Sequence, residues 1–94
     1  VKLTEVDGFD LELDAEGILL FFRYADRPGV VGTVGTILGQ AGVNIAAMQV
    51  ARREAGGEAL MTLTVDDPVG AELLSEAAAA VGAGAASAVD LRDE

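Results

Sequence analysis

The residues best suited to chemistry lie in one stretch, residues 24–32, with a second candidate pair at residues 44–45. An apolar run stops at Tyr24, Pro28 can set the first turn of a helix, and Gly29 and Gly32 leave the backbone bare. A strand that leads straight into a helix leaves several backbone N–H groups free, beside the positive end of the helix dipole. This corner is therefore suited to holding a small anion, including the carboxylate of an amino acid.

Two side chains supply hydrogen-bond acceptors for an ammonium group. Asp26 carries a carboxylate, and Asn44 carries an amide whose oxygen accepts and whose nitrogen donates. Each also has a purely structural interpretation, Asp26 as an acid at a helix start and Asn44 as a turn residue before a strand. Together they favour recognition of a small zwitterion. The candidate ligand-binding residues are Tyr24, Asp26, Arg27, Pro28, Gly29, Val30, Val31, Gly32, Asn44 and Ile45.

Catalysis by this chain alone is not expected. The sequence has no cysteine and no histidine, which removes thiol nucleophiles, imidazole bases and the usual ligands of transition metals. Ser75 and Ser87 therefore have no histidine to activate them. Asp66 and Asp67 precede Pro68, a pattern typical of a helix cap rather than of acid–base catalysis. No catalytic residue, metal ligand or cofactor site is assigned.

Charge and composition argue against nucleic acid and membrane partners. The formal net charge of −10 repels phosphates and anionic lipid. No GxGxxG or GxxxxGK motif follows a predicted strand. No apolar run approaches the roughly 20 residues needed to span a bilayer. The lack of cysteine is compatible with a cytoplasmic location, and the valine at position 1 is consistent with a piece of a longer chain.

Hydrophobic periodicity predicts a β-hairpin followed by six further elements. The hairpin strands flank Asp7-Gly8, a strong turn signal, and should pair Val6 with Phe9 and Glu5 with Asp10. The later elements are a strand from Ile18 to Tyr24, a helix from Pro28 to Ala41 capped by Gly42, strands from Val43 to Arg53 and from Glu58 to Val65, a helix that Asp66-Asp67-Pro68 caps, and a short strand from Ala85 to Leu91.

This order consists of two split βαβ halves, and right-handed crossovers place both helices on one face of the sheet. The expected fold class is α+β: a ferredoxin-like βαββαβ sandwich with a four-stranded antiparallel sheet, two helices on one face and a preceding β-hairpin. The other face is expected to be open, although Leu19 and Phe21 point to it. An open apolar face or edge predicts a partner.

The first predicted helix carries Gly32, Gly35 and Gly39 on the side opposite its apolar stripe. Each glycine costs about 1 kcal/mol of helix stability relative to alanine. Two interpretations stay open: a weak but tolerated helix, or a helix face that another backbone approaches closely.

Residues 24–32 (YADRPGVVG), followed by residues 38–45 (LGQAGVNI), resemble an ACT domain. The D-R-P-G…G-V-N-I pattern carries the resemblance, which covers residues 17–91. It is most similar to the serine-binding ACT domains that end the NAD-dependent dehydrogenases of serine biosynthesis. Residues 1–16 would then be the trailing hairpin of a preceding, intervening domain, and residues 17–94 the regulatory domain.

The resemblance implies that two copies pair side by side into one eight-stranded sheet and that L-serine binds at the seam between them. Tyr24, Asp26 and Asn44 match ligand-holding positions, and Gly29–Gly32 match the loop that wraps the ligand. The Met48–Val50 stretch would line the dimer side, and the resemblance gives Arg23, Arg52 and Arg53 no role. It further implies feedback inhibition of a distant catalytic domain, a tetramer in the whole enzyme, and NAD bound outside this segment.

Three functions are therefore weighed. The first is a non-catalytic feedback module that binds L-serine, or another amino acid, at a homodimer seam. The second is an oligomerisation module that has lost its ligand. The third is a small catalytic domain of the acyl-phosphate-hydrolysing kind, which Arg27 and Asn44 could imitate only loosely.

Overall fold

The computed structural model describes residues 2–6, 9–14, 17–52 and 57–91. Its elements are β1 (Lys2–Val6), β2 (Phe9–Asp14), β3 (Ile18–Ala25), α1 (Val30–Gln40), β4 (Ile45–Arg52), β5 (Glu58–Val65), α2 (Ala71–Val81) and β6 (Ala85–Asp90). Strands β1 and β2 form a two-stranded sheet, and the other strands form a four-stranded sheet in the order β4-β5-β3-β6. The predicted ferredoxin-like fold is confirmed.

The register of the four-stranded sheet determines which residues can meet. Strands β3 and β4 are each antiparallel to the central strand β5, so they run parallel to each other. Tyr24 and Arg52 both pair with Ala59, whereas Ile18 and Ile45 both pair with Val65 at the other end of β5. The carboxyl ends of β3 and β4 therefore lie at the same end of the sheet along the strand direction, and their amino ends lie at the other end.

The main core lies between the sheet and the two helices. Alternate residues of β3 and β5 face the helices and are buried, as the strand periodicity predicts. Phe22 is the largest fully buried side chain in this core, and Val34 and Leu38 of α1 and Ala77 and Val81 of α2 pack against the sheet. The apolar stripe of α1 is narrower than expected, because Val31 is exposed.

The opposite face of the sheet is not open at its centre, which corrects the prediction. Leu19, Leu60 and Thr62 lie on the face away from the helices, yet they are only 2%, 1% and 1% exposed. Strand β2 comes close to β4 without forming a ladder with it. We attribute the burial to the β1–β2 hairpin, because its strand β2 approaches the same sheet at β4.

Both helices begin later than predicted. Helix α1 starts at Val30 with Gly29 as its N-cap, so Pro28 belongs to the preceding turn rather than to the first helical position. Helix α2 starts at Ala71 with Gly70 as N-cap and has no side-chain cap, so the predicted capping by Asp66 and Asp67 is wrong. The chain needs these extra residues to turn from the end of β5 onto the helix layer. Gly42, at φ 81°, lies just past the end of α1 as predicted.

The hairpin strands pair as expected, with Val6 opposite Phe9 and Glu5 opposite Asp10. Asp7-Gly8, Arg53 and the greater part of the predicted turn at residues 55–57 lie outside the described residues. The assignment of residues 1–16 to a separate domain stays a prediction. Among the residues that the structure describes, no helix is long and apolar enough to cross a membrane.

Candidate functional site

A cleft of about 390 Å³ opens between the start of α1 and the end of β4. Tyr24 and Asp26 form its floor, Gly29–Gly32 and Arg27 form one wall, and Val50 and Arg52 form the other. Seven of the ten candidate residues thus lie together. Pro28, Asn44 and Ile45 do not line the cleft.

The wall formed by α1 presents backbone N–H groups. Gly29 has φ 89°, a left-handed conformation that is strained for any residue with a Cβ. Its carbonyl accepts hydrogen bonds from the backbone N–H of Thr33 at 3.0 Å and from the Thr33 hydroxyl at 2.9 Å. The N–H groups of Val30, Val31 and Gly32 belong to the first turn and so have no acceptor within the helix. They stand beside the positive end of the helix dipole.

Tyr24 of the floor and Arg52 of the wall belong to one row of three residues across the sheet. Tyr24, Ala59 and Arg52 are register neighbours on the helix side, which puts the Cα atoms of Tyr24 and Arg52 roughly 10 Å apart. Ala59 is small and fully buried, so it leaves room between the two longer side chains. Burial raises the pKa of the Tyr24 hydroxyl, the nearby Asp26 carboxylate raises it further, and the Arg52 guanidinium lowers it. At neutral pH the tyrosine is therefore a neutral hydrogen-bonding group.

Asp26 is held on two sides. Its backbone N–H donates to the carbonyl of Gly57 at 2.7 Å, which joins it to the start of β5. Its carboxylate accepts a hydrogen bond from Nη1 of Arg52 at 3.2 Å, forming an ion pair whose side chains are 18% exposed for Asp26 and 55% for Arg52. The carboxylate is thus placed at the mouth of the cleft with a cation beside it.

Arg27 does not direct its guanidinium at the cleft. Its Nη2 donates to the carbonyl of Val81 at 2.7 Å, and its Nη1 donates to the carbonyl of Ala25 at 3.5 Å. Val81 is the last residue of α2, so the guanidinium sits at the negative end of that helix. Arg27 thereby ties the corner before α1 to the end of α2, while the rest of the residue lines the cleft.

Asn44 and Ile45 lie at the far end of the sheet, which corrects the expectation that they share a corner with Asp26. Ile45 pairs with Val65 whereas Tyr24 pairs with Ala59, a separation of roughly 20 Å along β5. The side-chain amide nitrogen of Asn44 donates to Oδ2 of Asp66 at 2.7 Å. The backbone carbonyl of Asn44 accepts from the backbone N–H of Asp66 at 3.0 Å. Asn44 and Asp26 of one chain therefore cannot contact the same small ligand.

Val50 and Arg52 were missing from the predicted site. Alternation along β4 puts Met48, Val50 and Arg52 on one face, and the parallel course of β3 and β4 brings the last two beside Tyr24. Val31 and Val50 are 41% and 40% exposed, so the cleft also has an apolar lip. The alternation was readable from the sequence, but its alignment with β3 depends on β5 lying between them.

A second cavity of about 430 Å³ lies on the other side of β3, among the ends of β3 and α2 and the starts of β5 and β6. Its charged side chains are Arg23 and Glu58, and Nη2 of Arg23 donates to both carboxylate oxygens at 2.8 Å. These charges already neutralise each other in close contact, so this cavity is the weaker candidate for a charged ligand.

The fold and this corner together define a class of protein. The ACT domain family matches residues 18–82 of the chain, which is more than half of its length. The chain belongs to the ACT domain family, and the predicted resemblance is confirmed.

The relatives narrow the class. The chain is 42% identical over 76 residues to the D-3-phosphoglycerate dehydrogenase of Synechocystis sp., an alignment that covers 81% of this chain and 14% of the relative. It is 43% identical over 74 residues to that of Methanocaldococcus jannaschii, covering 79% of this chain and 14% of the relative. It is 41% identical over 90 residues to that of Mycobacterium tuberculosis, an alignment that covers 96% of this chain and 17% of the relative. The chain thus spans about a seventh of the length of the first two.

Proposed function

We propose that this chain is a regulatory domain that binds L-serine and controls the activity of a D-3-phosphoglycerate dehydrogenase in serine biosynthesis. The observation that carries the proposal is a cleft lined both by Asp26 and by the first-turn residues of α1. One group suits the ammonium of an amino acid and the other suits its carboxylate. Similarity to D-3-phosphoglycerate dehydrogenases over most of the chain supports serine as the proposed ligand, and a cytoplasmic location belongs to the same proposal.

The proposed site lies at a seam between two copies. Asp26 and Asn44 lie at opposite ends of the sheet, so both can serve one ligand only if they come from different chains. A two-fold axis beside β4 and α1 exchanges those ends, which brings the Asn44 of one chain to the cleft of the other. The exposed Val31 and Val50 would be covered at such a seam. A tetramer of the whole enzyme would contain two seams of this kind, joined by an interface outside this segment.

Regulation then follows from the shared site. A ligand held by groups of two chains stabilises one relative placement of those chains over others, and that difference in affinity can bias a catalytic domain elsewhere. No catalytic step is assigned to this segment, and NAD would bind the catalytic part of the longer enzyme.

The first test is calorimetric titration of the chain with a panel of amino acids, together with light scattering to measure its mass. We expect a dimer that releases or absorbs heat with L-serine. Asn44→Ala should lose most of the serine affinity and keep the fold. A dimer that is indifferent to every amino acid would support an oligomerisation module, and heat with a branched or aromatic amino acid alone would assign another ligand.

A complementation experiment tests the seam itself. Asp26→Ala and Asn44→Ala chains should each fail to bind serine, whereas a refolded mixture should regain binding in about one site in four. The reason is that each mixed dimer contains one site with both residues intact and one site with both replaced. If the two residues acted within one chain, mixing would restore nothing.

A further inference from the structure

Arg52 stands in the cleft without a role in the proposed site as described so far. It is the last residue of β4 and shares the helix-side face of that strand with Val50. Its register partner Ala59 is also the partner of Tyr24, so Arg52 faces the floor of the cleft across one small side chain. Its positive charge lies beside the negative charge of Asp26, and both residues line the cleft.

The guanidinium of Arg52 is only partly used. One nitrogen, Nη1, donates to one oxygen of Asp26 at 3.2 Å, and the side chain is 55% exposed. Its other N–H groups donate to no other side chain or carbonyl in the part of the chain that the structure describes. A guanidinium offers five donors in a planar fork that matches the two oxygens of a carboxylate.

The ion pair in the second cavity provides a contrast within the same molecule. Arg23 contacts both oxygens of Glu58 at 2.8 Å, and a ligand would have to break this close double contact before it could use either charge. The contact between Arg52 and Asp26 is longer and uses a single nitrogen of Arg52, so the guanidinium is easier to exchange.

We propose that Arg52 binds the carboxylate of the amino acid, beside the first-turn N–H groups of α1, while the ammonium group takes its place at Asp26. The inference rests on the proposed function and names a residue that determines which ligands the site accepts. The exchange leaves the net charge of the site unchanged, because a neutral ion pair meets a neutral zwitterion. One ion pair in the empty site becomes two in the occupied site.

This exchange explains why the site would require both charges of a free amino acid. An amine without a carboxylate can displace Arg52 from Asp26 but leaves the guanidinium without a new partner. A carboxylic acid without an amine must compete with the Asp26 carboxylate for Arg52 and offers Asp26 nothing in exchange. Arg52 therefore acts as a selectivity residue for α-amino acids over amines.

The test compares L-serine with ethanolamine, which is serine without its carboxylate, by calorimetric titration of the wild-type chain and of Arg52→Gln. We expect the wild type to prefer serine strongly. Arg52→Gln should bind serine at least tenfold more weakly, while its affinity for ethanolamine stays equal or rises because the competing guanidinium is gone. The ratio of the two affinities is the readout that a merely structural role would not change.

Two further variants sharpen the result. Arg52→Lys keeps the charge but not the planar fork, so it should restore serine affinity in part. Arg23→Gln removes an arginine from the ion pair outside the cleft and should leave serine affinity unchanged. Serine affinity that is unchanged or higher in Arg52→Gln, or an equal loss for both ligands, would overturn the inference alone. A wild-type chain that binds no amino acid would overturn the proposed function and this inference with it.

Discussion

At the scale of single residues, the site depends on three charged or polar side chains that lie at the ends of two strands. Tyr24 and Arg52 lie near the carboxyl ends of β3 and β4, with Ala59 of β5 between them, and Asp26 directly follows β3. All three therefore reach the mouth of the cleft. The sequence contains one tyrosine and no tryptophan. The tyrosine is therefore a spectroscopic probe that belongs to the site alone.

Ultraviolet titration of Tyr24 measures the charges around it. We expect its phenolate absorbance to appear with a midpoint above the ordinary pKa of 10.0, because burial and the Asp26 carboxylate both raise that pKa. The folded state then binds more protons than the unfolded state between pH 10.0 and the raised pKa, so stability falls as the pH rises through that window.

Two variants fix the signs of this effect. Asp26→Asn removes the carboxylate and should lower the pKa of Tyr24, whereas Arg52→Gln removes the cation and should raise it. Shifts in the opposite directions, or none, would show that these charges do not face the hydroxyl.

At the scale of elements, the corner before α1 is joined to both helices. Gly29 begins α1 in a left-handed conformation, and Arg27 reaches from the same turn to the last carbonyl of α2. An added Cβ at Gly32, Gly35 or Gly39 would meet no heavy atom within 4 Å in the described chain. The described part of the chain leaves this face of α1 uncovered, so it is available to a second copy in the proposed seam.

Arg27→Gln tests the link between the helices. It removes a charge-assisted hydrogen bond to a helix C-terminus, and we expect a loss of about 1–2 kcal/mol in the free energy of unfolding. Urea denaturation measures that loss, and hydrogen exchange should increase at the end of α2.

The matched control is Arg23→Gln, which breaks an ion pair whose side chains are 35% and 41% exposed. Such a surface pair should cost less than about 1 kcal/mol. If Arg27→Gln cost no more than this control and abolished ligand binding instead, Arg27 would be a ligand residue rather than a structural one.

At the scale of the whole molecule, the centre of the sheet is buried on both faces. The helices bury one face, and Leu19, Leu60 and Thr62 are buried on the other, where the β1–β2 hairpin approaches β4. This arrangement bears on the predicted boundary at residue 17, because a hairpin from a separate domain would still contribute to the stability of this one.

Deletion of residues 1–16 tests that contribution. Exposing Leu19 and Leu60 should lower the free energy of unfolding by at least about 2 kcal/mol, measured by urea denaturation. In the intact chain, Leu60→Ala should cost about 2–3 kcal/mol for the same reason. A shortened chain of unchanged stability would make the hairpin independent of the sheet.

Much of this molecule follows from its sequence alone. The continuous apolar run at residues 18–24, the alternation along residues 58–65 and the order of elements predicted the ferredoxin-like sandwich, and Asp7-Gly8 predicted the pairing of the hairpin. The ends of the helices were less predictable. Asp66-Asp67-Pro68 has the composition of a cap, but the tertiary path requires residues 66–70 for a turn before α2 begins.

The sequence by itself determined the corner from Tyr24 to Gly32, because a strand end, a carboxylate and glycines near a helix start are local features, although α1 begins at Val30 rather than at Pro28. Only the tertiary structure decided what stands opposite that corner. With β5 between them, β3 and β4 run parallel, which brings Arg52 to the cleft and carries Asn44 to the far end of the sheet. The register between β3, β5 and β4 depends on pairing between distant parts of the chain, and no local pattern encodes it.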